Sequence, residues 1–81
     1  MEAIARTPQL LGQALRSRRV KLKLSQTDVG SKVGIKQDTV SMLEIHTSSS
    51  TVETLYKALS ALGLELVVRE KVRTGASVQE W

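Results

Sequence analysis

Cysteine does not occur among the 81 residues. Its absence removes disulfide bridges and thiolate metal sites together, and leaves packing and association as the stabilisers open to so short a chain. A reducing cytoplasm is the compartment that suits such a chain. Phenylalanine is also missing, and tryptophan and tyrosine occur once each. Recognition of single strands or RNA through stacked aromatic platforms needs more rings than that. No apolar run approaches the roughly 20 residues of a membrane-spanning helix, and Met1 to Leu11 lacks the basic start and unbroken apolar stretch of a secretory signal. With one histidine, no phosphate-cradling glycine loop and no paired carboxylates, the sequence offers no catalytic constellation, no metal site and no cofactor site.

What the chain does contain suffices for one small domain with a single modest core. Its formal net charge is +4, and the cations are unevenly spread. The first 43 residues hold eight Lys and Arg against three acids, the remainder four against five, and seven of the cations fall between Arg16 and Lys36. Such a cluster attracts phosphate, but it would also attract an acidic protein or membrane, and a solvated helix face has the same composition. With aromatic platforms excluded, duplex DNA is the nucleic acid that fits the basic half.

Thr7 is placed to cap a helix with Pro8 at its first position, where a missing N–H costs nothing, and Leu11, Ala14, Leu15 and Leu22 continue along one side. The helix is expected from Pro8 to about Leu22, with Lys23 in the following position that favours glycine. Arg16, Ser17 and Arg19 point away from the apolar stripe. Arg18 falls on it, and is expected to lay its methylenes over the core while its guanidinium reaches water. Ser25 caps a short second helix in which Val29 and Val33 repeat at i and i+4 and which Gly34 ends. Lys36 or Gln37 begins a third that reaches Ile45, with Val40 and Leu43 inward and Asp38, Thr39, Ser41 and Met42 left available. Thr47 to Ser50 reads as a polar loop. Ser50 and Glu53 form a capping box ahead of Val52, Leu55, Tyr56, Leu59 and Leu62, a fourth helix that ends at Gly63.

After Gly63 the period changes to two. Leu64, Leu66 and Val68 alternate with Glu65, Val67 and Arg69, as in a strand. A lone strand leaves a row of unpaired backbone groups, so the pattern predicts pairing with the same strand of a second copy in a two-fold dimer. The expected boundaries are an N-terminal arm at 1–7, a domain at 8–69 with its dimerisation strand at 64–69, and a flexible C-terminal tail at 70–81 that carries Trp81.

Numbered from Gln26, a twenty-residue unit places Val29, Gly30, Val33, Gly34, Ile35, Val40 and Leu43 at positions 4, 5, 8, 9, 10, 15 and 18. This is the spacing of a helix-turn-helix. Gly30 is small where the two helices cross, Gly34 supplies the positive φ of the turn, and the five apolar residues tie the pair to the core. A generic helical bundle explains the apolar residues but not the two glycines four apart between them. In such a unit the second helix enters the major groove while the first crosses the backbone. Gln37 can then pair bidentately with adenine, Lys36 can donate to guanine or a phosphate, and Ser41 lies one turn on. Asp38 either accepts from a cytosine amino group or serves the helix start, and Met42 either touches a thymine methyl or covers surface. Ser25 and Gln26 at a helix N-terminus, with Arg16, Arg19 and Thr39, are candidate phosphate contacts. His46 reads as a surface residue after the third helix, with phosphate contact as the alternative.

Over LGQALRSRRVKLKLSQTDVGSKVGIKQDTVSMLE, Leu11 to Glu44, the sequence resembles the helix-turn-helix family of phage Cro and CI repressors, also called the Xre family. The continuation TVETLYKALSALGLELVV is more narrowly similar to the HipB-type antitoxins. The resemblance implies an all-α, four-helix, lambda-repressor-like domain with one C-terminal β-strand paired across a homodimer. It implies that Arg19 and Glu44 form the family's ion pair between the first and third helices, a role that competes with phosphate contact for Arg19. It also implies a HipA-like serine/threonine kinase toxin as partner, binding of palindromic operators in the chain's own promoter, and autoregulation of the operon. Trp81 is then an anchor for the partner or an exposed residue without one. Lys23 and Arg18 depart from the family pattern. Two other functions stay open at this point: a free-standing regulator without a toxin, and a protein-interaction module that has lost DNA binding, the latter favoured by Asp38.

Overall fold

A computed structural model describes residues 2–71; the expected tail from Val72 onward, with Trp81, lies outside the described residues. Four helices follow one another as α1 (Pro8–Lys21), α2 (Gln26–Val33), α3 (Gln37–Ile45) and α4 (Val52–Ala61), with a 3-10 turn over Thr47–Ser49 between α3 and α4. Among the described residues there is no strand.

Local chemistry sets most of the boundaries. Thr7 Oγ1 accepts from the Leu10 N–H at 3.1 Å and Pro8 opens α1. That helix closes through Lys23, whose φ of 60° places an L-residue in the left-handed region at a cost of roughly 1 kcal/mol. Leu22, expected on the apolar stripe, is instead the exposed C-cap of α1, and Leu24 takes the inward place beyond the turn. Ser25 and Asp28 form a reciprocal capping box at the start of α2, with bonds of 2.9 and 2.8 Å. The Ser25 backbone N–H holds the Asp28 carboxyl below its ordinary pKa, with the Ser25 hydroxyl side adding to the effect. Gly34, at φ 72°, makes the left-handed turn into α3.

The region after α3 departs from expectation. Thr47 to Ser49 is not an open loop, because Thr47 Oγ1 donates to the Leu43 carbonyl at 2.7 Å and winds the chain into a further turn. The Ser50 N–H closes that turn on the Thr47 carbonyl. Thr51, rather than Ser50, therefore caps α4 by accepting from the Thr54 N–H at 3.1 Å. Val52 and Tyr56, expected on the apolar side, are exposed, and Ala58, Leu59 and Leu62 carry the buried side of α4 and its end.

The core consists of Leu15, Val29, Val40, Leu43, Ala58, Leu59 and Leu62, with Leu11, Leu24, Ile35, Leu55, Ala61 and Leu64 packed against it. All four helices contribute. Of the seven helix-turn-helix positions, Val29, Gly30, Val40 and Leu43 are buried, Ile35 and Val33 are half-buried, and Gly34 is exposed in its turn. A Cβ on Gly30 would strike the Ile35 carbonyl oxygen, so its smallness admits the turn that returns into α3 rather than the body of the neighbouring helix. Arg18 also differs from expectation: its Nε donates to the Leu62 carbonyl at 3.0 Å, capping the end of α4 rather than reaching for water. Beyond Gly63 only Leu64 packs on the core; residues 65–71 are exposed and form neither helix nor in-chain ladder.

A glycine within α1 lies against the end of α3 and the turn that follows it. A Cβ at Gly12 would collide with Thr47 Oγ1 and the Glu44 carbonyl oxygen and lie 3.1 Å from the Glu44 carbonyl carbon. Gly12→Ala is therefore expected to lower stability by about 1–3 kcal/mol through overpacking, against the roughly 1 kcal/mol that alanine gains in helix propensity. Urea unfolding followed by circular dichroism measures the balance, and a raised midpoint would show that the two backbones have room to part.

Candidate nucleic-acid interface

Arg19, near the end of α1, and Glu44, near the end of α3, form a two-pronged ion pair. Nε donates to Oε2 at 2.6 Å and Nη2 to Oε1 at 3.1 Å, while Nη1 donates to the Leu24 carbonyl at 2.9 Å. The side chains are 12% and 3% exposed. Hydrogen bonding to Glu44 raises the pKa of Arg19 above its ordinary value, burial works against this, and the charge of Glu44 adds to it. A paired carboxylate and guanidinium with further bonds on both partners is the condition under which burial of charge is tolerated.

A chain of hydrogen bonds leads outward from this pair. Glu44 Oε1 also accepts from Gln26 Nε2 at 3.1 Å, and Gln26 Oε1 accepts from Gln37 Nε2 at 2.5 Å. The direction follows from chemistry: a carboxylate only accepts, so Gln26 must turn its amino group inward and its carbonyl outward. That carbonyl engages one N–H of Gln37. The Gln37 side chain is left with one N–H and its carbonyl oxygen, held on the surface at the first residue of α3.

Around this point the sequence-predicted residues divide by position. Lys36, the N-cap of α3, makes no side-chain capping bond and is exposed, as are Gln37, Asp38 and Met42. Ser41 and Thr39 are half-buried. Val40, Leu43 and Glu44 occupy the opposite, buried side of the helix. The structure thus brings Lys36, Gln37, Asp38, Ser41 and Met42 onto the first two turns of one short helix. Arg16 is exposed on α1, and Ser25 is exposed with its hydroxyl committed to the Asp28 N–H. Arg19 and Gln26, both read as phosphate contacts, are turned into the bonded chain, and three of the five N–H groups of Arg19 are used there. His46 is exposed at the C-cap of α3.

Sequence reasoning missed the bond between Gln26 and Gln37. The signal was present as two glutamines opening the two helices, eleven residues apart, but nothing local shows that the helix starts converge. Among the described residues no helix is long and apolar enough to cross a membrane, and no group of His, Cys, Asp or Glu is set to hold a metal ion.

A family profile described as helix-turn-helix matches residues 15–68. No curated protein matches the chain. Solved structures do. A chain of a HipA-HipB-O2-O3 complex is 28% identical with a TM-score of 0.82, the match covering 89% of this chain and 100% of that one. A chain of a HipB-O4 20mer complex is 28% identical with a TM-score of 0.80, covering 86% and 97%. A chain of a HipB-O1-O2 complex is 28% identical with a TM-score of 0.79, covering 86% and 100%.

If the ion pair orders α1 against α3, removing one partner leaves an uncompensated charge under the surface. Glu44→Ala is expected to cost about 3 kcal/mol, and the double substitution with Arg19→Ala less than the sum of the two single losses. Equilibrium unfolding of the four proteins checks this, and strict additivity would mean that the two side chains act independently.

Proposed function

The chain belongs to the helix-turn-helix family of the Cro and CI kind, and from that premise we propose that it is a homodimeric, sequence-specific DNA-binding repressor. In this reading it serves as the antitoxin of a HipA-like serine/threonine kinase toxin and represses its own operon. The observation that carries the DNA-binding part is the outward amide of Gln37, held by Gln26 at the start of the second helix of the unit. Its free N–H and carbonyl oxygen match N7 and the N6 amino group of adenine.

Lys36 donates to guanine or to a phosphate beside it, and Ser41 reaches the next base edge one turn along. Met42 touches a thymine methyl or covers surface beside it. Asp38 accepts from a cytosine amino group or favours the helix start through its charge. Arg16, Ser25 and Thr39 hold phosphates and so set register rather than sequence. Arg19 and Gln26, with most of their groups engaged inside, act first by positioning Gln37. The segment 64–69, through Leu64, Leu66 and Val68, pairs with its copy and sets two α3 helices one DNA turn, roughly 34 Å, or a multiple of it apart. The similar solved structures are complexes of HipB with O1, O2, O3 and O4 and, in one, with HipA, which supports both a DNA partner and a HipA-like partner. Trp81, in the tail, is proposed as the residue that anchors that partner.

A second reading rests on Asp38, an exposed carboxylate on the helix that would face phosphates: the fold is kept for protein interaction and DNA is not bound. Titration of the DNA upstream of the gene and of random duplex, at rising salt, separates the two. A repressor loses affinity steeply with salt yet stays far tighter on its own DNA. Equal binding to both duplexes would sink the repressor reading. Gln37→Ala is expected to cost roughly 1–3 kcal/mol and relax preference at one base pair, whereas Arg16→Ala weakens all sequences alike. For the toxin, the test is co-purification with the product of the neighbouring gene before and after removal of Val78 to Trp81. Unchanged affinity in the shortened chain would dismiss the anchor.

A further inference from the structure

Two of the charges after Gly63, Glu65 and Arg69, are placed symmetrically about one residue. Exposure of the apolar side chains climbs from 45% at Leu66 to 67% at Val67 and 92% at Val68. Glu65 and Arg69 stand two residues to either side of Val67, both exposed, and neither forms an ion pair with another described residue. Leu66 and Val68 stand one residue to either side.

Two identical antiparallel strands related by a two-fold axis obey a simple rule. Residues directly opposite share a face of the ribbon, so an axis perpendicular to the ribbon passes beside a residue that faces its own copy. Centred on Leu66, the ribbon would pair Leu64 with Val68 and Leu66 with its copy, but would set Glu65 against Val67 and Arg69 against Gly63, and both charges would lack a partner. Centred on Val68, it would set Glu65 against Lys71, but Leu66 would face Glu70 and Val67 would face Arg69. Centred on Val67, it sets Leu66 against Val68 and Glu65 against Arg69, each pair twice by symmetry, with Glu70 falling beside Leu64 at the frayed ends. Only the last register sets Glu65 opposite a cation while leaving Leu66, Val67 and Val68 opposite apolar residues, with the Leu64–Glu70 mismatch confined to the ends.

We propose that the protein dimerises through an antiparallel ribbon of residues 64–70 centred on Val67, in which Glu65 of each copy faces Arg69 of the other. This rests on the strand-paired dimer of the previous subsection and adds its register and its selectivity. Opposite charges directly across a ribbon attract and like charges repel, so the charge pattern rejects slipped registers and foreign strand edges and selects a second copy of this chain.

The chain has no cysteine, so single cysteines report the register directly. Val67→Cys is expected to cross-link to its own copy under mild oxidation. Leu66→Cys and Val68→Cys alone are not, since each lies diagonally from its copy, beyond the ~7 Å that a disulfide bridges, yet a mixture of the two cross-links. Preferential cross-linking of Leu66→Cys or Val68→Cys by itself overturns the register and leaves the dimer standing. A dimer in sedimentation equilibrium with no cross-link at any of the three positions overturns the ribbon, and a monomer overturns the dimer reading as well. Charge gives the second arm: Glu65→Arg and Arg69→Glu each weaken self-association about tenfold, and mixing the two variants restores it as a heterodimer. Self-association of either variant alone at the original strength refutes the Glu65–Arg69 pairing.

Discussion

The structure depends on one buried ion pair. Arg19 and Glu44 bring two helices that are far apart in sequence to a fixed separation, and they do so with directional bonds rather than with apolar contact alone. Apolar packing among Leu15, Val29, Val40 and Leu43 is nondirectional and tolerates small rotations. A fork of two N–H groups on two carboxylate oxygens does not. The third nitrogen of Arg19 takes the Leu24 carbonyl and so also holds the turn that leads into α2. Gly12 makes this possible about two turns earlier, because only a residue without a Cβ lets α1 lie on the Glu44 carbonyl.

The same carboxylate imposes an order on the surface. Because Glu44 can only accept, each amide that follows has one available orientation, and the polarity is transmitted through Gln26 to Gln37. The result is an exposed side chain whose rotamer and flip are decided by a buried charge. A free surface glutamine loses about 1.5–2 kcal/mol of side-chain freedom when it is fixed. Part of that cost is already met in the unbound protein, which favours selective contact over adaptable contact. The energetic core of the domain and its outward chemistry are therefore parts of one hydrogen-bonded series.

How much of this the sequence discloses depends on range. Caps and turns are local, so Thr7, Ser25, Lys23 and Gly34 are legible from neighbours a few residues away. The helix-turn-helix spacing is legible for the same reason, since its geometry is complete within twenty residues. Ser50 misleads because its backbone N–H closes the Thr47 turn, and that turn depends on a threonine hydroxyl reaching back to Leu43. Arg18 and Gly12 misread or escape notice because their partners, Leu62 and Glu44, lie on other elements. Leu64, Leu66 and Val68 show the alternation of a strand, but a strand requires a neighbour, and the described chain supplies none.

Two adjacent arginines on α1 connect these observations. Arg19 holds the helix proposed to read bases, and Arg18 holds the Leu62 carbonyl at the end of α4. One residue later Gly63 turns the chain at φ 68°, and the Leu64 N–H returns to the Leu59 carbonyl at 2.9 Å. The direction in which residues 64–70 leave the body is thus tied to α1, as the orientation of α3 is. In the proposed dimer, helix α1 is the bar that sets the angle between the ribbon and the reading helix. Spacing between two half-sites then follows from side chains next to each other on one helix, not from the distant loops that join the elements. In that proposed dimer a change at Arg18 would alter the distance between the two α3 helices while leaving each of them intact, whereas a change at Arg19 would loosen α3 itself.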